Sequence, residues 1–240
     1  SRNLPLLKQF HREVYNSLDF ILTVSEDDRK VFESFRLTHP VIAVVGDTRY
    51  DQVWARSAES KNRTVLDATI TRGKTVLVIG SSWSEDEDVL IPACVMLMNL
   101  HPDLLVILVP HEPTVETLER IENQLNGGLA SIRFSNLGQY RGERFILIDS
   151  VGILMSLYRN AHIAYVGGSF RSGIHNVLEP AAHGIPVVFG PVYQNSQEAV
   201  ELVRRGAAFV GSNEAELYDH LRGLIENEQA RGQAGQKALE

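Results

Sequence analysis

The 240-residue sequence predicts an α/β protein built on a Rossmann-like, doubly wound parallel sheet. Three observations carry that expectation. Short runs of Val, Ile and Leu recur between Thr75 and Val210 and alternate with helix-length segments, and strands that are apolar on both faces belong to a sheet covered on both sides. The segments between them are long enough for the crossover helix that a parallel pair requires. One junction, Tyr165-Val166-Gly167-Gly168-Ser169 followed by Gly173-Ile174-His175-Asn176-Val177-Leu178-Glu179-Pro180, passes from strand through a glycine turn into a helix that opens with polar residues. That arrangement cradles a phosphate and grips a ribose.

In chain order, the pattern predicts a helix over 4–18, a strand over 20–24 and a helix capped by Ser25, with Glu26, Asp27 and Asp28 in the first turn where the dipole favours carboxylates. A β-branched run over 41–45 ends at Gly46-Asp47-Thr48-Arg49-Tyr50-Asp51, and a helix follows to about 57. The polar tract 59–63 is the candidate boundary, which divides the chain into 1–58 and 59–240. Beyond it the predicted strands are 75–79, 104–109, 131–134, 145–148, 163–166, 186–189 and 207–210. The predicted helices are 84–100, 113–125, 152–159, 176–183, 194–205 and 214–226, and the polar tail 227–240 is helix-compatible.

Composition narrows the function. A net charge of −7 without a Lys/Arg cluster argues against nucleic acid as a partner, because neutralising phosphates needs a basic face. Hydrophobic residues make up 44% of the chain, enough for a substantial core. Cys94 is the one cysteine and lies in an apolar run, so it is expected in the core, with no disulfide framework and no Cys-rich zinc site. No apolar stretch approaches the length of a spanning helix, and the start Ser1-Arg2-Asn3 lacks a signal pattern, so a soluble chain is expected. The absence of an initiator Met suggests a fragment of a longer protein.

In such sheets, ligands bind beyond the carboxyl ends of the strands. Four of these edges carry polar groups: Gly80-Ser81-Ser82-Trp83-Ser84, Pro110-His111-Glu112-Pro113, Asp149-Ser150-Val151-Gly152, and the glycine loop after Val166. The first turn lacks the later glycines of a dinucleotide fingerprint, and no Gly-Lys-Ser/Thr loop occurs, which sets aside nicotinamide and P-loop nucleotides. Ser81 and Ser82 are read either as helix caps or as hydrogen-bonding partners of a phosphate or sugar. Acids 85–88 sit where the helix dipole alone would place them, and no metal or cofactor is expected. His111, between two prolines after an apolar strand, is a candidate ligand contact, whereas His162 at the opposite edge is expected to be structural.

The glycine loop is the strongest signal. Gly167 and Gly168 are expected to let a ligand approach backbone N–H groups, Ser169 to donate to an anion, and Gly173 to act as a second pivot. His175 and Asn176 fall at a helix start, which suits a leaving phosphate. Glu179, one turn on, can accept from both hydroxyls of a ribose, or serve as a capping-box partner for Asn176.

These motifs together, with the Gly46–Asp51 and Asp149–Leu154 runs, resemble the C-terminal part of 3-deoxy-D-manno-octulosonic acid (Kdo) transferases. The resemblance implies the C-terminal half of a GT-B glycosyltransferase, two Rossmann-like domains with this one binding the donor CMP-Kdo. It implies inverting, metal-independent transfer to a lipid A precursor held by the N-terminal domain, on the cytoplasmic face of the bacterial inner membrane, with membrane association only through that other part. Ser169, His175 and Asn176 would lie near the phosphate or the Kdo carboxylate, and Glu179 on the ribose. Arg49 would reach the donor's negative charge, while Pro110, His111 and the Asp149–Gly152 turn, with Ser150 and Gly152, would frame the cytosine. Ser82, Gly167, Gly168 and Gly173 complete the expected donor site. The proton acceptor would belong to the N-terminal domain, so this fragment alone is expected to be inactive. Ile174 departs from a glycine found before the histidine in some members. Two other readings remain at this point: a sugar-nucleotide epimerase of the same architecture, and a non-catalytic nucleotide-binding module.

Overall fold

The structure, a computed structural model, describes residues 5–48, 50, 51, 53, 55, 64–125 and 129–240. Arg49 and the boundary expected at 58/59 lie outside the described residues. The chain divides into two compact units, Ser1–Trp54 and Ala55–Glu240.

The first unit contains α1 (Pro5–Asn16), β1 (Phe20–Thr23), α2 (Glu26–Glu33) and β2 (Val41–Val44). Ser25 caps α2 by accepting from the Asp28 N–H, as the sequence suggests. Strands β1 and β2 run parallel, with Phe20 opposite Val41 and Thr23 opposite Val44. Side chains alternate along β1, so Ile21 and Thr23 are buried while Phe20 and Leu22 are exposed. Tyr15 meets Phe32 and Phe35 edge-on at ring separations of 5.2 and 5.3 Å, which fastens α1 to α2.

The second unit is a seven-stranded, wholly parallel sheet. Its strands are β3 (Thr75–Ser82), β4 (Leu104–Pro110), β5 (Ser131–Arg133), β6 (Phe145–Leu147), β7 (Ile163–Val166), β8 (Val187–Phe189) and β9 (Ala208–Val210), in the order β5-β6-β4-β3-β7-β8-β9. The helices are α3 (Ala68–Thr71), α4 (Ser84–Leu100), α5 (Val115–Leu125), α6 (Leu154–Tyr158), α7 (Leu178–Ala181), α8 (Gln197–Arg205), α9 (Glu214–Glu226) and α10 (Glu228–Leu239). Alternate residues of β3 feed opposite faces: Leu77 and Ile79 pack with α4, α5 and α9, whereas Val76 and Val78 pack with α3 and α6. This is the doubly wound α/β class that the sequence predicts. Successive strands leave β3 in both directions, towards β4 on one side and β7 on the other. The reversal between β3 and β7 is the point at which ligand crevices form.

Element ends depart from the pattern for local reasons. Strand β3 continues to Ser82 because a bulge at Ser81, with φ of 54°, carries the pairing through the turn. Helix α7 spans four residues rather than eight, and it begins where the Asn176 side chain accepts from the Leu178 N–H. A 3-10 helix, Phe134–Gln139, occupies a segment for which no element was expected beyond Phe134. The tail forms α10, and it packs on the turn before β8: a Cβ on Gly235 would lie 2.2 Å from the Gly184 carbonyl oxygen. Cys94 is buried in α4, and burial pushes its thiol up to about 12. Among the described residues no helix is long and apolar enough to cross a membrane.

Candidate functional site at the strand edges

The loop after β7 is held from three sides. Gly167 donates to the Gly80 carbonyl at 2.9 Å, and a Cβ on Gly167 would sit 2.3 Å from the Ser81 oxygen and 2.7 Å from Ser82 Cα. Gly168, with φ of 94°, donates to Asp86 at 2.8 Å. Gly173, with φ of 136°, donates to the Gly168 carbonyl, and its missing Cβ makes room for Asn195. Asn195 in turn accepts from the Ile174 N–H and donates to the Ile174 carbonyl. The His175 N–H donates to Gly167.

These contacts revise what the glycines do. The sequence suggests N–H groups open to a ligand, yet those of Gly167, Gly168, Gly173, Ile174 and His175 are all engaged within the protein. Ser169 is fully buried, and its hydroxyl accepts from Gly190 at 2.6 Å, so its side chain lies inside the fold instead of on the ligand-facing surface. Ser82 is likewise buried. Its hydroxyl donates to Glu87 at 2.7 Å, and Glu87 is paired with Arg120 of α5. Through its carbonyl, Ser82 instead receives the His111 N–H at 2.8 Å and so fixes the next strand edge.

Asp86 joins these edges, although in the sequence it is one of four acids in a row at a helix start. It is fully buried, with Oδ1 accepting from the Tyr165 hydroxyl at 2.8 Å and Oδ2 from the Trp83 and Gly168 N–H groups at 3.0 and 2.8 Å. Three donors on one buried carboxylate make a rigid link between the turn after β3 and the loop after β7. Burial, reinforced by that carboxylate, holds the Tyr165 phenol well above its ordinary range, so it stays a donor.

Each of three adjacent strands then contributes a ring. Trp83 follows β3, His111 follows β4 and His175 follows β7. His111 stacks on Trp83 at 4.4 Å and on His175 at 4.5 Å, and the Trp83 indole donates to His175 Nε2 at 2.8 Å. The Arg171 guanidinium lies 4.2 Å from the Trp83 ring centre and 3.8 Å from Glu85. Desolvation first, and His111 second, push His175 below the ordinary histidine value, with Asp86 opposing them. Neither Trp83 nor Arg171 was singled out from the sequence, where a lone aromatic after serines has no distinguishing pattern.

On the side of β4 and β6, Pro110 is buried at the strand end and His111 is exposed beyond it. The turn after β6 is tied down by Asp149, which accepts from the Ser135 N–H and hydroxyl. Ser150 carries a buried hydroxyl with no hydrogen-bond partner among the protein atoms. Gly152 takes φ of 79° with nothing within 4 Å of a would-be Cβ. The turn opens α6, which packs on α7, and Tyr158 of α6 is near enough to Glu179 for the carboxylate to raise its phenol further after burial has done most. Glu179 accepts from Asn176 Nδ2 at 3.2 Å, a contact between side chains and not the capping box that competes with the ribose reading. His162, as expected, is structural: its Nδ1 accepts from the Val76 N–H at 3.0 Å. The structure thus brings His111, His175 and Trp83 into direct contact, keeps Ser150 in the turn before α6 and Glu179 in the first turn of α7, and places Ser82 and Ser169 beneath the surface. Among the described residues no group of three His, Cys, Asp or Glu side chains is arranged to hold a metal.

No protein-family model matches the chain. Individual relatives do. A 3-deoxy-D-manno-octulosonic acid transferase of Chlamydophila psittaci is 27% identical over 210 residues, 86% of this chain and 47% of that protein. One from Aquifex aeolicus is 35% identical over 152 residues, 62% of this chain and 41% of that protein. One from Chlamydia trachomatis is 24% identical over 235 residues, 96% of this chain and 53% of that protein. The chain spans about half the length of the curated relatives it matches. Among solved structures, the C-terminal CMP-Kdo binding domain of WaaA from Acinetobacter baumannii matches with a TM-score of 0.64 at 24% identity, covering 78% of this chain and 96% of that one. A putative UDP-N-acetylglucosamine 2-epimerase from Listeria monocytogenes matches with a TM-score of 0.66 at 14% identity, covering 98% and 59%. The fold is that of the C-terminal domain of GT-B glycosyltransferases, and the resemblance to Kdo transferases read from the motifs is borne out.

Proposed function

We propose that this chain is the donor-binding half of a Kdo transferase of lipopolysaccharide synthesis, and that it holds CMP-Kdo at the carboxyl edge of the seven-stranded sheet. The observation that carries the reading is the meeting of Trp83, His111 and His175 at the switch point between β3 and β7, in a chain whose relatives are Kdo transferases. Because α7 is short and the N–H groups of Gly167, Gly168, Gly173, Ile174 and His175 are engaged, the donor's anionic groups fall to side chains: the His175 ring N–H and Asn176 Nδ2. Glu179 accepts from the ribose hydroxyls, giving up its contact with Asn176. Pro110, His111, the Ser150 hydroxyl and the Gly152 turn frame the cytosine. Gly167, Gly168, Gly173, Ser82 and Ser169 act beneath, by fixing the two edges.

The reaction in this reading is inverting and metal-independent, with charge on the departing CMP stabilised by the polar side chains at the loop. Inversion needs a base on the face of the anomeric carbon opposite the leaving phosphate, and in a two-domain cleft that face belongs to the acceptor domain. The acceptor is a lipid A precursor, and the full-length enzyme works at the cytoplasmic face of the inner membrane. A titration of this chain with CMP, UMP, UDP and ADP tests the reading. CMP is expected to bind at high micromolar to millimolar concentration, about −4 to −6 kcal/mol, and better than UDP. Tighter UDP binding overturns it in favour of the epimerase architecture. In an assay with freshly generated CMP-Kdo, transfer is expected only when the half of the protein outside this chain is supplied.

A further inference from the structure

The contact between Trp83 and His175 fixes more than position. An indole Nε1–H can only donate, so the 2.8 Å contact makes His175 Nε2 an acceptor, without a proton of its own. A neutral imidazole carries one proton, which must then sit on Nδ1. The ring cannot turn over easily: its Nε2–Cδ2 edge rests on Gly168, where a Cβ would lie 2.9 Å from Cδ2 and 3.1 Å from Nε2. His111 stacks on both partners, at 4.4 Å on Trp83 and 4.5 Å on His175, and so covers the hydrogen bond on one side. The interplanar angle of 23° between Trp83 and His175 sets the two rings nearly edge to edge beneath it.

We propose that Trp83 is a positioning residue, whose indole N–H locks His175 as the neutral Nδ1–H tautomer and so determines which ring nitrogen is left to donate to the nucleotide. The donation to the nucleotide rests on the CMP-Kdo reading above; the lock does not. The groups around the ring act in known directions. Desolvation and then His111 favour the neutral form, Asp86 behind the loop favours the charged one, and the Arg171 guanidinium over Trp83 adds a fixed positive charge beside the hydrogen bond. Protonating Nε2 would break the Trp83 bond, so the lock holds above the titration of His175 and opens below it.

The test uses the whole 240-residue chain labelled with 15N at histidine, with the His175 signal among eight histidines identified by its loss in His175→Gln. Long-range 15N–1H spectra at neutral pH are expected to show a pyrrole-type Nδ1 and a pyridine-type Nε2 at His175. Trp83→Phe keeps a ring under His111 but removes the donor, and is expected to give a mixture of tautomers, a higher His175 pKa and CMP binding weaker by about three- to tenfold, the worth of one neutral hydrogen bond. A purely structural role for Trp83 would leave the tautomer unmoved. An Nε2–H tautomer in the unaltered protein overturns the proposal, whether or not the variant folds, and so does an unchanged tautomer in Trp83→Phe. A locked tautomer in a protein that binds no CMP upholds the lock and overturns the nucleotide reading instead.

Discussion

The loop after β7 and the turn after β6 reach the same edge of the sheet with glycine and serine close together, yet they are opposite in construction. In the loop, each glycine faces backbone or a side chain at contact distance, and Ser169 is buried with its hydroxyl bonded to Gly190. In the turn, Gly152 faces open space, Val151 is 78% exposed, and the Ser150 hydroxyl has no protein partner. One is a strut, and the other is open at Gly152 and Val151. A glycine-rich segment is therefore not by itself a ligand cradle: here the Gly167 and Gly168 N–H groups tie the loop to the end of β3 and to Asp86, and those of Gly173, Ile174 and His175 hold the loop's own shape.

Substituting the glycines should break the comparison most visibly. Gly167→Ala drives a methyl into the backbone of Ser81 and Ser82, neither of which is the flexible end of a side chain. A loss of about 3 kcal/mol or more is expected, at the upper end of overpacking. Gly152→Ala meets no atom and bears only the strain of its φ of 79°, about 1 kcal/mol. Urea unfolding of both variants measures the difference, and equal losses would mean that the loop is as yielding as the turn.

The sheet was legible because what makes a buried parallel strand is local: a run such as Leu104-Leu105-Val106-Ile107-Leu108-Val109 can be little else. The edge was legible as a place, and His111, His175, Asn176 and Glu179 were found on it. What escaped was set by distant partners. Asp86 differs from Glu85 in being buried under Tyr165 and Gly168, 79 and 82 residues on, and nothing near it in sequence says so. Ser169 reads as a ligand contact because its donor, Gly190, comes into reach only after the chain folds; the acceptor of Ser82, Glu87, lies five residues on, and what the local sequence hides is that Arg120 meets it and that both are buried. Helix α7 is shorter than its sequence pattern because His175 and Asn176 lie outside it, with the Asn176 side chain accepting from the Leu178 N–H.

Glu179 lies at the far end of the loop, just inside α7. It is half-buried and accepts from Asn176 Nδ2 at 3.2 Å, a bond that glutamine can still accept through its amide oxygen. Glu179→Gln should thus leave the melting temperature nearly unchanged. If the carboxylate accepts from both ribose hydroxyls, affinity for CMP should fall by about 1 to 3 kcal/mol, the range for hydrogen bonds to a charged group. A large stability loss with unchanged affinity would place Glu179 with the strut.

The smallest effect is expected at Ser150, and it bears on the turn alone. Its hydroxyl is buried and unpartnered in the protein, so the fold already carries the cost of desolvating a polar group without the return of a hydrogen bond. Removing that hydroxyl in Ser150→Ala deletes no hydrogen bond within the protein, and stability should stay level or rise by a few tenths of a kcal/mol. If the turn frames the base, the same change takes away a neutral hydrogen bond to the nucleotide, and CMP affinity should fall by about 0.5 to 1.5 kcal/mol. Ser169→Ala gives the contrast, since it orphans the Gly190 N–H inside the core and should cost stability. Calorimetric titration with CMP beside thermal unfolding reads both quantities on each variant. Ser150→Ala losing stability while keeping affinity would show the turn to be built like the loop, and the distinction between the two would fall.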